Sequence, residues 1–249
     1  MSAAPPALLL HGQPGGRRDW DGVAGALGSR AIAIDRPGWD GRSQPTDLAG
    51  NALAALAALD ARGIERATVV GHSLGSAVAA WIAAEHPDRV AALVLAAPAA
   101  NVASLGALDR WLAAPVVGYA TGVASLAGPG LVLTVGPARR QIAARMAVED
   151  RYLRAAGALL RAPAAWRAFT VEQRALVRDL PVLERRLGRI RAPTTIVAGA
   201  ADRLVPLASA RQLAAQIAGA ELIVLDGAGH LMQLRHARRL AAIIAAACR

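Results

Sequence analysis

One serine in this chain stands in surroundings that could make it a nucleophile. Ser73 is the centre of Gly71-His72-Ser73-Leu74-Gly75, and an apolar run, Ala67 to Val70, leads into it. G-x-S-x-G between a strand and a helix is the pattern of a sharp turn that lifts a serine hydroxyl above the edge of a sheet. Glycines are needed on both sides, because a Cβ at either would meet the neighbouring strand or helix. The same turn aims the backbone N–H of Leu74 at the space where an oxyanion would form. A hydroxyl is a poor nucleophile near neutral pH and needs a base. His230 suits that role, since it lies in the glycine-containing loop Asp226-Gly227-Ala228-Gly229-His230 after the last apolar run. Asp202, in Gly199-Ala200-Ala201-Asp202, suits the third role, holding the imidazole tautomer and stabilising the imidazolium. The chemistry of such a set is acyl transfer.

These three residues need a scaffold, and the apolar runs supply one. Ala7–Leu10, Ala31–Ile34, Ala67–Val70, Ala91–Leu95, Thr194–Ala198 and Glu221–Leu225 read as strands. They are continuous and do not alternate, as expected of a parallel sheet covered on both faces. Helices are expected at Asp47–Ala61, capped by Thr46 and closed by Gly63, and at Leu74–Glu85, ended by His86-Pro87. Two more are expected at Ser209–Ile217 and about Ala237–Ala247. Between residues 101 and 191 the strand rhythm stops, and helical periodicity, Trp111 and Trp166 replace it. Residues 1–100 and 192–249 therefore read as one α/β core, and residues 101–191 as an inserted helical cap. From Arg139 to Arg191 the cap holds 13 arginines against five acids, a charge excess that suits a substrate carboxylate.

Composition limits the alternatives. With 249 residues and 55% hydrophobic content, the chain can bury a sizeable core. Its formal charge is +10, and every basic residue is an arginine. Aromatics are only 3% and no basic run is interleaved with stacking residues, so a nucleic-acid partner is not expected. The single cysteine, Cys248, excludes an intrachain disulfide. No basic segment precedes the first apolar run, so a signal peptide is not expected and a cytoplasmic location is. Leu112–Val135 carries no charge and is long enough to span a bilayer, but Pro115, Gly118, Gly122, Gly128, Pro129 and Gly130 interrupt it. A lid-like pair of short helices is expected there, with peripheral lipid contact the alternative.

Four motifs, His11-Gly12-Gln13-Pro14-Gly15-Gly16, Asp35-Arg36-Pro37-Gly38-Trp39-Asp40-Gly41-Arg42-Ser43, the Ser73 turn and the Gly199–Asp202…Gly227–His230 tail, each follow an expected strand. In this order the chain resembles the α/β-hydrolase superfamily over nearly its whole length, with Ser, Asp and His in the sequence order of that fold. The resemblance implies an α/β-hydrolase fold, a mainly parallel sheet of about six strands flanked by helices. It implies a second oxyanion donor, the N–H of Gln13, beside that of Leu74. His11 would be a structural histidine of its loop, His72 a neighbour of the nucleophile, and Asp35 and Arg36 loop-fixing ion-pair partners. Some relatives carry the triad acid after the earlier strand. Here that loop, Ala96-Ala97-Pro98-Ala99-Ala100, has no carboxylate, which favours Asp202; Asp226 is too close to His230 in sequence. Relatives usually carry a β-hairpin before the first motif. Only ten residues precede His11, so either that hairpin is absent or the native start lies upstream.

The resemblance implies a carboxylic ester hydrolase (EC 3.1.1) acting on a small, mostly apolar ester or related acyl compound. Carbon–carbon bond hydrolysis, lactone hydrolysis and peracid formation use the same triad. A non-catalytic binding protein on the hydrolase scaffold is the alternative from another class. A serine at position 73 argues against the dehalogenases and epoxide hydrolases, which use aspartate there. No metal-ligand cluster, P-loop or dinucleotide fingerprint is present, so neither a cofactor nor a metal is expected.

Overall fold

A computed structural model describes residues 4–249. Its centre is one six-stranded, wholly parallel sheet in the order β2-β1-β3-β4-β5-β6. The strands are β1 (Ala7–Leu10), β2 (Ala31–Ile34), β3 (Ala67–His72), β4 (Val90–Ala96), β5 (Thr194–Gly199) and β6 (Glu221–Leu225). Every residue of the inner strands β1 and β3 is buried, whereas the edge strands β2 and β6 are only partly covered. Position in the sheet thus explains the burial: inner strands are covered on both faces, and edge strands lack a neighbour on one side. Leu8, Leu9 and Leu10 are each completely buried, worth about 1.5–3 kcal/mol apiece.

Helices cover both faces. In chain order they are α1 (Asp21–Leu27), α2 (Leu48–Asp60), α3 (Leu74–Glu85), α4 (Ala107–Leu112), α5 (Val117–Val132), α6 (Gly136–Met146), α7 (Asp150–Leu160), α8 (Pro163–Glu184), α9 (Leu207–Gln216), α10 (Met232–Arg235) and α11 (Ala237–Ala247). Leu8, Leu10, Val69, Leu93 and Ile196 face a core shared with α2, α3, α9 and the second half of α8. Leu9, Val70, Val94 and Val197 face the opposite core, closed by α1, α10 and α11. The continuous apolar runs follow from this arrangement, since alternate residues of each strand feed different cores.

Helices α4 to α8 interrupt the sheet between β4 and β5 and form the cap. Trp39, Leu112, Leu126, Ala168 and Phe169 make one cap core, and Leu133, Ala143 and Leu153 a second. Helix α8 spans two layers: Ala165 and Phe169 pack within the cap, while Leu176, Leu180 and Leu183 belong to the core of the sheet.

Two local expectations differ from the structure. The cap of α2 is Asp47, whose carboxylate accepts from the N–H of Gly50 at 2.8 Å; Thr46 lies one residue too early. The uncharged stretch from Leu112 forms the end of α4 and a single 16-residue helix, α5, which contains Pro129. Among the described residues no single helix is long and apolar enough to cross a membrane; α5 and α6 pass that test of length and composition only together, at an angle of 101°.

Candidate active site

Strand order places the site. Between β1 and β3 the chain's direction of progress across the sheet reverses, because β2 lies outside β1. Such a switch point opens a crevice beyond the carboxyl ends of the strands. Leu10 pairs with Gly71 there, so the loop after β1 and the turn after β3 emerge side by side.

The turn after β3 puts Ser73 at φ 53° and ψ −122°. A serine pays about 1–3 kcal/mol for such a backbone. The surroundings hold it there: its N–H donates to the Ala96 carbonyl at 3.0 Å, and the Ser76 hydroxyl donates to the Gly71 carbonyl at 2.8 Å. A Cβ on Gly71 would strike the Gly75 carbonyl, and a Cβ on Gly75 the carbonyls of Leu10 and His11. Both glycines are therefore required by the close approach of β3, α3 and the end of β1.

The structure brings the three expected residues together. His230 Nε2 lies 3.0 Å from Ser73 Oγ, and its Nδ1 lies 2.9 Å from Asp202 Oδ2. An ionised Asp202 only accepts, so Nδ1 carries the proton and Nε2 is left to accept from the serine. The other Asp202 oxygen accepts the N–H groups of Leu204 at 2.8 Å and Val205 at 3.0 Å. Burial pushes this carboxyl up, but the hydrogen bond and charge of His230 and those two N–H groups outweigh it, leaving Asp202 below its ordinary range. The Asp202 side chain is 2% exposed and that of His230 12%.

His72 braces the backbone of His230. Its Nε2 donates to the His230 carbonyl at 2.9 Å. Burial, helped by the neighbouring His230, drives its pKa down to about 3, so it remains a neutral donor.

The loop after β1 is held from beneath. The Arg36 N–H donates to His11 Nε2 at 3.0 Å, so the His11 proton is on Nδ1, which donates to the Gly12 carbonyl at 2.8 Å. The Arg36 guanidinium donates to the carbonyls of His11 at 3.0 Å and Gly12 at 2.9 Å. Burial and the charge of Arg36 hold His11 well below its ordinary pKa. Arg36 is fully buried and pairs with Glu172 of α8, which also accepts from Trp39 Nε1 at 2.8 Å. Burial pushes the Glu172 carboxyl up, against the pull of Arg36 and Trp39. Asp35 turns elsewhere, pairing with Arg17 at 3.4 Å and accepting its N–H at 2.7 Å. Asp35 and Arg36 are thus loop-fixing residues with separate partners. Glu172 was not legible in sequence: it sits 136 residues from Arg36, with no local signal linking them.

Gln13 and Leu74 flank Ser73 on the two adjacent loops, and among the described residues neither N–H has a hydrogen-bond partner. The Gln13 side chain donates to the Phe169 carbonyl of α8 at 2.6 Å, tying this loop to the cap.

A cavity of about 810 Å³ opens over His230 and His72. Its walls are mainly apolar and come from α5, α6 and α7, with Leu204 and Leu231 beside the triad loops. None of the 13 arginines between residues 139 and 191 lines it. Several are engaged at the surface or in the cap: Arg139 and Arg154 with Asp150, Arg178 with Asp179, and Arg189 with Glu85.

Comparison with known proteins agrees with this architecture. The α/β-hydrolase fold family matches residues 5–237, and the chain belongs to that family. Among curated proteins it is similar to 2-hydroxy-6-oxononadienedioate/2-hydroxy-6-oxononatrienedioate hydrolase 2 of Pseudomonas putida, 30% identical over 239 residues, 89% of this chain and 79% of that one. It is also similar to the dihydrolipoyllysine-residue acetyltransferase component of the acetoin cleaving system of Cupriavidus necator, 41% identical over 104 residues. That match spans 38% of this chain and only 27% of the relative. Among solved structures, a hydrolase from Pseudomonas aeruginosa PA01 superposes with a TM-score of 0.75 at 28% identity, covering 99% of this chain and 91% of that one.

Proposed function

We propose that the protein is a serine hydrolase acting on small, mostly apolar carboxylic esters or related acyl compounds. The observation that carries this reading is the hydrogen-bonded series Ser73, His230, Asp202, whose histidine lines a largely apolar cavity. In this reading His230 takes the Ser73 proton as Oγ attacks the acyl carbon. The N–H groups of Gln13 and Leu74 receive the oxyanion. The resulting imidazolium, stabilised by Asp202, gives its proton to the leaving alkoxide. Water, deprotonated by His230, then displaces Ser73 from the acyl group and the cycle closes. Residues 101–191 act as the cap that shapes the acyl pocket.

A second reading is hydrolysis of a carbon–carbon bond in a dienoate with the same triad. The likeness to the P. putida protein, whose name is that of a dienedioate hydrolase, favours it. Replacing Ser73→Ala tests both readings. Turnover of p-nitrophenyl butyrate should fall to background in the variant; retained turnover would refute the role of Ser73. Turnover of a dienoate with none of the ester would favour the second reading.

A further inference from the structure

We propose that the outer face of α5, with the arginines at its two ends, docks on the surface of an anionic lipid bilayer. The inference stands apart from the hydrolase reading: it concerns where the protein sits, not what it cleaves.

Helix α5 has one face open to solvent, yet none of its 16 residues is charged. A surface helix of a water-soluble domain carries its charges on the side away from the core. Here Gly118, Gly122, Leu126 and Gly130 form the buried side. The opposite stripe, Val117, Ala120, Ala124, Gly128 and Leu131, is exposed at helical spacing and offers water no polar side chain. Eight of the twelve large apolar side chains exposed among the described residues lie between Leu108 and Val135, so the exposure is concentrated rather than scattered. Trp111 and Tyr119, both exposed, flank the start of the helix, and Trp111 Nε1 donates to Thr121 Oγ1 at 3.3 Å. Such rings, apolar with one polar edge, suit the boundary between membrane and water.

The charges around this face choose the occupant. No aspartate or glutamate occurs between Arg110 and Val148. At the N-terminal end of α5, Pro115, Val116, Tyr119 and Val171 wall a groove of about 470 Å³ that also holds Arg167 and Arg174 and no carboxylate. Both arginines are exposed; Arg174 donates to the Pro115 carbonyl at 2.6 Å, and of the α8 arginines only Arg178 is ion-paired among the described residues. At the other end Arg140 is exposed, and its guanidinium folds back to 3.4 Å from where a Cβ on Gly136 would stand, at the corner between α5 and α6. An anionic bilayer supplies phosphates for those guanidiniums and hydrocarbon for the stripe. A second copy of this chain, related by a twofold axis, presents the same uncharged helix and the same arginines, with no acid to receive them. Pro129, Val132 and Leu133, at the C-terminal end of α5, line the cavity, so docking holds the cavity beside the lipid.

Co-sedimentation of the full chain with vesicles tests this, using phosphatidylcholine alone and phosphatidylcholine with phosphatidylglycerol in equal parts. The mixed vesicles should be bound at least about tenfold more tightly than the neutral ones. The net charge of +10 by itself would let any face adhere, so the position of the contact must be read as well. Arg140→Gln with Arg167→Gln should weaken binding about 25-fold, roughly fivefold for each arginine near an anionic surface. Arg211→Gln with Arg239→Gln removes the same charge from exposed sites on α9 and α11 and should change binding less than about threefold. Val117→Glu with Leu131→Glu puts two carboxylates on the stripe without entering a core and should abolish sedimentation at an unchanged Tm. Trp111 reports the contact with no substitution near it: it alone of the five tryptophans is exposed, and its emission should shift to the blue on the mixed vesicles. If the glutamate pair unfolds, the arginine pairs and the Trp111 shift decide. No sedimentation with the mixed vesicles, an equal loss in the two arginine pairs, retained binding by a folded glutamate pair, or an unshifted Trp111 emission would overturn the proposal. So would a dimer seen by light scattering that the glutamate pair separates, since the face then belongs to a second copy.

Discussion

Replacing Asp202→Asn isolates the electrostatic part of the triad, and the structure fixes how the new amide sits. The Oδ1 position receives two backbone N–H groups, from Leu204 at 2.8 Å and Val205 at 3.0 Å. An amide NH2 there would face two donors, so the asparagine keeps its oxygen on that side and turns its NH2 toward His230. Nδ1 of His230 must then accept, which places the imidazole proton on Nε2. That nitrogen, 3.0 Å from Ser73 Oγ, becomes a donor and can no longer take the serine proton. Restoring the productive tautomer means pairing two donors in a nearly dry site. The loss in kcat/KM should be about 10³–10⁴-fold, equivalent to about 4–5.5 kcal/mol. The assay is p-nitrophenyl butyrate hydrolysis from pH 6 to 9, with a melting curve to establish that the fold survives. A variant within about tenfold of wild type would refute the argument that Asp202 sets the tautomer.

Breaking the clamp between sheet and cap should cost stability. Glu172→Gln leaves the fully buried Arg36 without its counter-charge, a loss of about 3–5 kcal/mol, and should lower Tm by roughly 6–20 °C in a circular-dichroism melt. Gly75→Ala drives a Cβ into the carbonyls of Leu10 and His11, so the variant should be recovered mainly in inclusion bodies or unfold at least about 10 °C early. Asp19 should make stability depend on pH. Its folded pKa is raised from 3.8 to about 6, so both states are protonated below about 4, and the folded state loses relative stability as pH rises through about 6. Asp19→Asn should therefore be more stable than wild type at pH 8 by about 2–3 kcal/mol, the difference vanishing near pH 4; denaturant titrations at both pH values measure it.

The sheet was readable because each strand is a short apolar run closed by a turn residue, and burial on both faces removes alternation. The three residues of the candidate triad were readable because each follows such a run, so their order along the chain could be matched to the fold. What the sequence concealed depends on distance. Arg36 reads as a loop residue, and only the path of α8 reveals that Glu172 is its partner. The arginine excess of the cap suggested a carboxylate site, yet those side chains lie away from the cavity, and the charged side chains that do line it, Arg17, Arg18, Asp19 and Asp35, come from the segments after β1 and β2. Thr46 and Asp47 are both good capping residues; which one serves depends on where α2 begins, and that is settled by Asp47 reaching the N–H of Gly50. The halves of α8 look alike in sequence, and packing alone assigns one to the cap and the other to the sheet.

The bond from Gln13 to Phe169 and the pair between Arg36 and Glu172 fasten α8 to the loop after β1. This leaves residues 107–160 as the part of the cap that carries the cavity wall and makes few polar ties to the sheet, the Tyr152–Asp19 bond among them. That segment behaves as a cassette. A chimera receiving it from another family member should inherit the donor's acyl-chain preference while keeping its own oxyanion loop in register, because the helix that anchors that loop stays behind.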